Sequence, residues 1–120
     1  MNALVTGGGG FLGKAVVTRL LDRGDDVISF SRGDYPELRR LGAQVIRGDL
    51  ADSEAVDSAA QGCDVVFHVA AKAGVWGRRE EYFRTNVLGA QNIVSACLAR
   101  HITRLVYTSS PSVVYDGRNQ

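Results

Sequence analysis

Behind the apolar tripeptide Ala3-Leu4-Val5 the chain runs Thr6-Gly7-Gly8-Gly9-Gly10-Phe11-Leu12-Gly13-Lys14, a glycine density that lets backbone amides approach a phosphate closely. Three readings compete: a dinucleotide-binding turn, a P-loop for a nucleoside triphosphate, and a flexible loop with no ligand. Gly8 to Lys14 meets the P-loop spacing G-x-x-x-x-G-K, but the hydroxyl residue that should follow to bind Mg²⁺ is replaced by Ala15. The fourth apolar run ends at Phe67-His68 instead of in a metal-holding carboxylate. The dinucleotide reading needs one glycine for a tight turn, one that admits the pyrophosphate and one where helix meets strand. Gly7, Gly10 and Gly13 supply them as T-G-x-x-G-x-x-G, while Gly8, Gly10 and Gly13 satisfy the overlapping G-x-G-x-x-G. Spacing alone leaves that choice open. In either variant the amides and the positive end of the following helix face the pyrophosphate.

Roughly 20 residues further on, an acidic side chain ordinarily accepts from the adenosine ribose hydroxyls and favours NAD. That place holds Ser31-Arg32. A carboxylate would repel a ribose 2′-phosphate, whereas a guanidinium binds it through paired, charge-assisted hydrogen bonds. The spacing therefore points to NADP(H) over NAD(H), with NAD(H) still possible; the competing reading makes Arg32 a solvated loop residue.

The elements that must position these groups alternate. Ala3-Leu4-Val5 is a buried-type strand, and Phe11, Leu12, Ala15, Val16 and Leu20 recur at helical spacing until Arg23-Gly24. Val27–Phe30 forms a second strand, followed by a short helix opened by Pro36 and closed by Gly42. Gln44–Ile46 forms a third, followed by a helix capped by Asp52 or Ser53 and ended at Gly62. Asp64–Phe67 forms a fourth strand without polar alternation, as helices on both faces require. From about Glu80 to Arg100, Phe83, Val87, Ala90, Val94 and Cys97 share one helical stripe, with Ile93 and Leu98 beside it. Leu105–Tyr107 is the fifth strand. The expected class is α/β: a Rossmann-type parallel sheet of about five strands with helices on both faces, three layers α/β/α.

At 120 residues the chain has room for one domain. With 45% hydrophobic and 22% charged residues it suits a globular protein, and a formal net charge of +1 gives no reason to expect nucleic acid or an anionic membrane as partner. No apolar stretch approaches the roughly 20 residues that span a bilayer, and no basic leader precedes the first strand. Cys63 and Cys97 lack metal or redox spacing and read as reduced thiols, which favours the cytoplasm and leaves no metal site.

The glycine turn, "GDL" at 48–50, "AAKAG" at 70–74, "NVLGAQNIV" at 86–94 and "YTSS" at 107–110 together resemble the extended short-chain dehydrogenases/reductases, in their 3β-hydroxysteroid dehydrogenase-like branch. "SFSRGDYPELRRLGAQVIRGDL" and "AAKAGVWG" are similar to segments of the bacterial 2-alkyl-3-oxoalkanoate reductases of olefin biosynthesis. The resemblance implies that Gly7, Gly10, Phe11, Leu12 and Gly13 line the pyrophosphate, with Ser31 and Arg32 at the adenosine ribose and its 2′-phosphate. It puts Asp49 and Leu50 beside the adenine, Asp49 accepting from its amine, and Ala70, Ala71 and Lys72 along the cofactor toward the nicotinamide ribose. Asn86 either supports the site or fixes backbone geometry. Ser110, or Ser109 one place earlier, would be the active-site hydroxyl on the substrate carbonyl; the alternative is a hydroxyl that only caps the strand end.

The family's chemistry also needs Y-x-x-x-K, because a Tyr of ordinary pKa about 10 becomes an acid-base group at neutral pH only beside a cation. Here Tyr115 is followed by Asn119, Tyr107 by Pro111 and Tyr82 by Asn86. The expectation is a cofactor-binding amino-terminal half, truncated before that pair and the substrate domain and inactive alone. The parent activity implied is NADP(H)-dependent oxidoreduction of a ketone or secondary alcohol on a small-molecule substrate: a 2-alkyl-3-oxo acid, or a 3β-hydroxysteroid-like alcohol. A non-catalytic NADP(H)-binding regulator and a nucleotide-sugar epimerase or dehydratase are the alternatives. Apolar surface on the open side of the last strand suggests a homo-oligomer.

Overall fold

The computed structural model describes residues 1–69 and 84–108. Five strands form one fully parallel sheet in the order β3-β2-β1-β4-β5. They are β1 (Asn2–Thr6), β2 (Asp26–Ser31), β3 (Gln44–Arg47), β4 (Val65–Val69) and β5 (Arg104–Thr108), with α1 (Phe11–Asp22), α2 (Pro36–Leu41) and α3 (Ser53–Ala59) between the first four. A π-helical turn, Arg84–Leu88, leads into α4 (Gly89–Ala99) ahead of β5.

The two-residue period of β1 divides the core. Ala3 and Val5 pack with Val17 and Leu20 of α1 and Leu38 of α2 on one face. Leu4 packs with Val56 and Ala59 of α3 and Ile93, Ala96 and Cys97 of α4 on the other, joined by Phe30 and Val66. Both faces are thus covered, which explains why β1 and β4 carry apolar side chains at consecutive positions. The expected three-layer α/β/α arrangement is present.

Local chemistry sets the helix ends. Pro36 begins α2, and Gly42 closes it at φ 116°, a left-handed conformation. Asp52 caps α3 by accepting from the amides of Glu54 and Ala55 at 3.1 and 3.2 Å. That helix ends at Ala59, short of Gly62.

The stripe expected on the last helix is corrected in part: Cys97 and the adjacent Ile93 are buried as expected, but the rest of the face is displaced. Its buried residues are Gly89, Ile93, Ala96 and Cys97, whereas Val94 is 45% and Leu98 73% exposed and Val87 also faces outward. An uninterrupted 3.6-residue period carried through from Phe83 picks a face one residue away, and the π turn breaks that period because it takes up more than 3.6 residues. Phe83 itself lies outside the described residues.

Because the chain goes outward from β1 to β2 and β3 and then crosses back to lay β4 on β1's other side, strand order reverses between β1 and β4. A crevice at the carboxyl ends of those two strands is where ligands of open parallel sheets bind.

Candidate functional site

The glycine run occupies that crevice. Gly7 follows β1 at φ 76°, a left-handed conformation that costs a residue with a Cβ energy, and a Cβ there would stand 2.8 Å from the Val69 carbonyl oxygen at the end of β4. The Gly10 amide donates to the Gly7 carbonyl at 3.2 Å, closing the turn. Gly13, in the first turn of α1, lies so close to that carbonyl that any Cβ would collide with it. Geometry thus gives the turn to Gly7 and the close helix–strand contact to Gly13, a choice that spacing left open. Gly8 covers the buried Ser29, whose hydroxyl has no partner among the described residues, and a side chain at Gly9 would strike the Tyr35 ring.

Gly10 differs, because around its Cβ position the nearest atom is the Gly7 oxygen at 3.7 Å. It is the N-cap of α1, with no side-chain cap and no acidic residue in the first turn. The amides of Phe11, Leu12 and Gly13 precede the Lys14-to-Gly10 backbone bond of 2.8 Å and so stand at the positive helix end. Phe11 is 95% exposed and leaves that end open, while Leu12 is half-buried against the α1 side of the core. Lys14, the lysine of the P-loop spacing, instead pairs with Glu37 of α2 at 3.3 Å.

At the end of β2 the Ser31 hydroxyl donates to the Gly33 carbonyl at 3.3 Å and shapes the loop that carries Arg32. Arg32 is exposed and has no carboxylate partner among the described residues. Beside it, Asp49 accepts from the Ala51 amide at 2.9 Å through Oδ1, with no partner on Oδ2 among the described residues. Leu50 is held by Asn92 of α4, whose Nδ2 donates to the Leu50 carbonyl at 2.7 Å, and by Gly89, where a Cβ would stand 3.0 Å from Leu50 Cβ. Sequence reasoning named Asn86 as the supporting amide and missed Asn92, six residues on in the same "NVLGAQN". Asn86 lies half-buried in the π turn.

A row in register crosses the crevice floor, buried at Thr6, Phe30 and His68 and exposed at Tyr107: Thr6 is in register with Phe30 and His68, and His68 with Tyr107. His68 is 4% exposed; its Nδ1 lies 2.7 Å from Thr6 Oγ1, and its ring centroid 5.3 Å from that of Tyr107. Burial holds its pKa below the ordinary imidazole value. Ala70, Ala71, Lys72, Ser109 and Ser110 lie outside the described residues.

These residues suit a dinucleotide. The turn offers amides at an uncapped helix end, a Cβ-free opening at Gly10, and, one strand over, a recess lined by Arg32 and Asp49. Among the described residues no group of three or more His, Cys, Asp or Glu is placed to hold a metal ion, and no helix is long and apolar enough to cross a membrane.

Residues 4–120 match the 3-beta hydroxysteroid dehydrogenase/isomerase family. The chain is 55% identical over 119 residues to the 2-alkyl-3-oxoalkanoate reductase of Shewanella oneidensis, covering 99% of this chain and 31% of that protein. It superposes with TM-score 0.81 and 30% identity on a short-chain dehydrogenase/reductase superfamily protein from Agrobacterium tumefaciens solved with bound NAD, over 94% of this chain and 34% of the other. With UDP-glucose 4-epimerase from Thermotoga maritima, solved with UDP-glucose, the TM-score is 0.83 at 28% identity, covering 100% of this chain and 41% of that one. The chain spans 31 and 35% of the length of two curated reductases it matches.

Proposed function

The chain belongs to the 3-beta hydroxysteroid dehydrogenase/isomerase family, and from that premise we propose that residues 1–120 are the NAD(P)-binding Rossmann domain of an NADP(H)-dependent oxidoreductase acting on a ketone or secondary alcohol. The observation that carries this reading is the Gly7–Gly13 turn at the reversal of strand order, with an arginine where an acidic residue would select NAD. When bound, the cofactor supplies the hydride exchanged with the substrate carbon.

The protein's own part is to bind, orient and polarise. Amides of Phe11, Leu12 and Gly13 would hold the pyrophosphate against the turn that Gly7 opens, with Gly10 lining it, and Ser31 shapes the loop from which Arg32 would take the 2′-phosphate. Asp49 Oδ2 accepts from the adenine amine, and Leu50 covers the ring. Ala70, Ala71 and Lys72 would follow the cofactor toward its nicotinamide ribose, Asn86 would support the site, and the Ser110 hydroxyl would donate to the substrate carbonyl. Proton transfer falls to a Y-x-x-x-K pair in sequence outside these 120 residues, where the substrate domain also belongs.

The likeness to the Shewanella protein favours a 2-alkyl-3-oxo acid as substrate, ahead of a 3β-hydroxysteroid-like alcohol. A nucleotide-sugar epimerase is the second reading, favoured by the superposition on the Thermotoga enzyme. Calorimetric titration with NADPH and NADH tests the core of the proposal. NADPH is expected to bind more tightly, and Arg32→Ala to weaken NADPH by about tenfold, roughly 1.4 kcal/mol, with NADH unchanged. Equal binding of both nucleotides would remove the NADP assignment, and binding of neither would remove the site.

A further inference from the structure

Arg32 is not the only unneutralised arginine at that rim. Arg47 ends β3 in register with Ser31, directly across from the start of the Arg32 loop. The two backbones are fastened together, since the Gly48 amide donates to the Ser31 carbonyl at 2.9 Å and the Arg47 Nε–H donates to the Arg32 carbonyl at 3.3 Å. Gly48 permits this approach, because a Cβ there would stand 2.7 Å from the Phe30 ring. Arg32, Arg47, Gly48 and Asp49 line one open recess of about 380 Å³.

Charge distribution marks that recess. On α1 and around α2, by contrast, Lys14 pairs with Glu37 at 3.3 Å and Arg39 with Asp34 at 2.7 Å. Neither Arg32 nor Arg47 has a carboxylate within ion-pair distance among the described residues, although Asp49 lines the same recess with Oδ1 engaged by the Ala51 amide. Two like charges side by side repel unless an anion joins them. With Nε engaged on the main chain, Arg47 keeps the four N–H groups of its two terminal nitrogens for a ligand, in a planar fork suited to phosphate oxygens. A phosphate monoester carries about −1.5 to −2 charge and three terminal oxygens, enough to engage two guanidinium groups at once.

We propose that Arg47 is the second cationic arm of the 2′-phosphate subsite and shares with Arg32 the discrimination of NADP(H) from NAD(H). The inference rests on the cofactor reading above and adds a residue to it.

The test is isothermal titration of the purified protein with NADPH, NADH, 2′,5′-ADP and 5′-AMP, for wild type, Arg32→Ala, Arg47→Ala and Arg47→Lys, each variant first checked by thermal melt. Arg47→Ala is expected to weaken NADPH and 2′,5′-ADP by about tenfold while leaving NADH and 5′-AMP within about twofold. Arg47→Lys should recover part of the loss, since it restores the charge without the fork. If Arg47→Ala leaves the NADPH-to-NADH ratio unchanged while Arg32→Ala collapses it, the role of Arg47 is refuted and the cofactor reading stands. Equal weakening of all four ligands would reduce Arg47 to a structural residue. Absence of any NADPH preference in the wild type overturns both.

Discussion

Gly10 and Gly13 belong to one motif, yet the physical demands on them are separable. A methyl group at Gly13 meets the Gly7 carbonyl, so Gly13→Ala must move backbone and should cost about 1–3 kcal/mol or more of stability. Gly10 has room on the protein side, and Gly10→Ala should cost at most about 1 kcal/mol through the poorer N-cap. Its methyl would instead occupy the space assigned to the pyrophosphate. Thermal melts and NADPH titrations of the two variants should therefore give opposite profiles: a folded protein with weakened binding for Gly10→Ala, a destabilised one for Gly13→Ala. His68 carries a pH dependence. Its folded pKa lies below the ordinary 6.5, so the unfolded chain takes up the proton first and stability falls as pH drops through about that value. Asp57, whose carboxyl the Arg100 guanidinium holds below the ordinary 3.8, acts only in a more acidic window. Melts at pH 7.5 and 5.5 should show a loss that His68→Asn reduces; an unchanged pH difference in that variant would reassign it to other groups.

At the scale of elements, the Asp49–Leu50 segment, proposed to flank the adenine, is held by α4. Asn92 reaches across 42 residues of sequence to the Leu50 carbonyl, and Gly89 lets the helix start lie against Leu50. Arg100 at the other end of α4 forms a two-pronged contact with Asp57 of α3, at 2.9 and 2.8 Å. Asn92→Ala removes one half-buried hydrogen bond, about 0.5–1.5 kcal/mol. It should weaken NADPH and NADH alike, because it loosens the segment proposed to flank the adenine and leaves Arg32 alone. A change confined to NADPH would show that Asn92 acts on the phosphate side. The surface of α4 was the least legible part of the sequence for a related reason: a periodicity count selects Val87, Ala90 and Val94, while the buried face is Gly89, Ile93, Ala96 and Cys97, in which the small Gly89 and Ala96 let the helix approach.

For the molecule as a whole, the parallel sheet of five strands and its layering were readable because turn residues and apolar runs alternate with little ambiguity. Pro36, Gly42 and Asp52 each stand where an element begins or ends. The glycine turn and Arg32 were equally visible, since their chemistry is local. Arg47, Asn92 and the Thr6–His68 pair were not, because their significance lies in contacts made between strands or across 42 and 62 residues of chain. Arg47 meets the Arg32 loop only once β3 is set beside β2 in register.

The central position of β1 also has a consequence in time. On the ribosome, Asn2–Thr6 can gain β2 as a neighbour after about 25 further residues, but its other edge waits for β4, since Ala3 pairs with Val65. At about 5–20 residues per second, the central strand of the sheet spends roughly 3–12 s of synthesis with one side unmatched. Until then the nascent chain presents an open backbone edge that chaperones, or a neighbouring nascent chain, can reach.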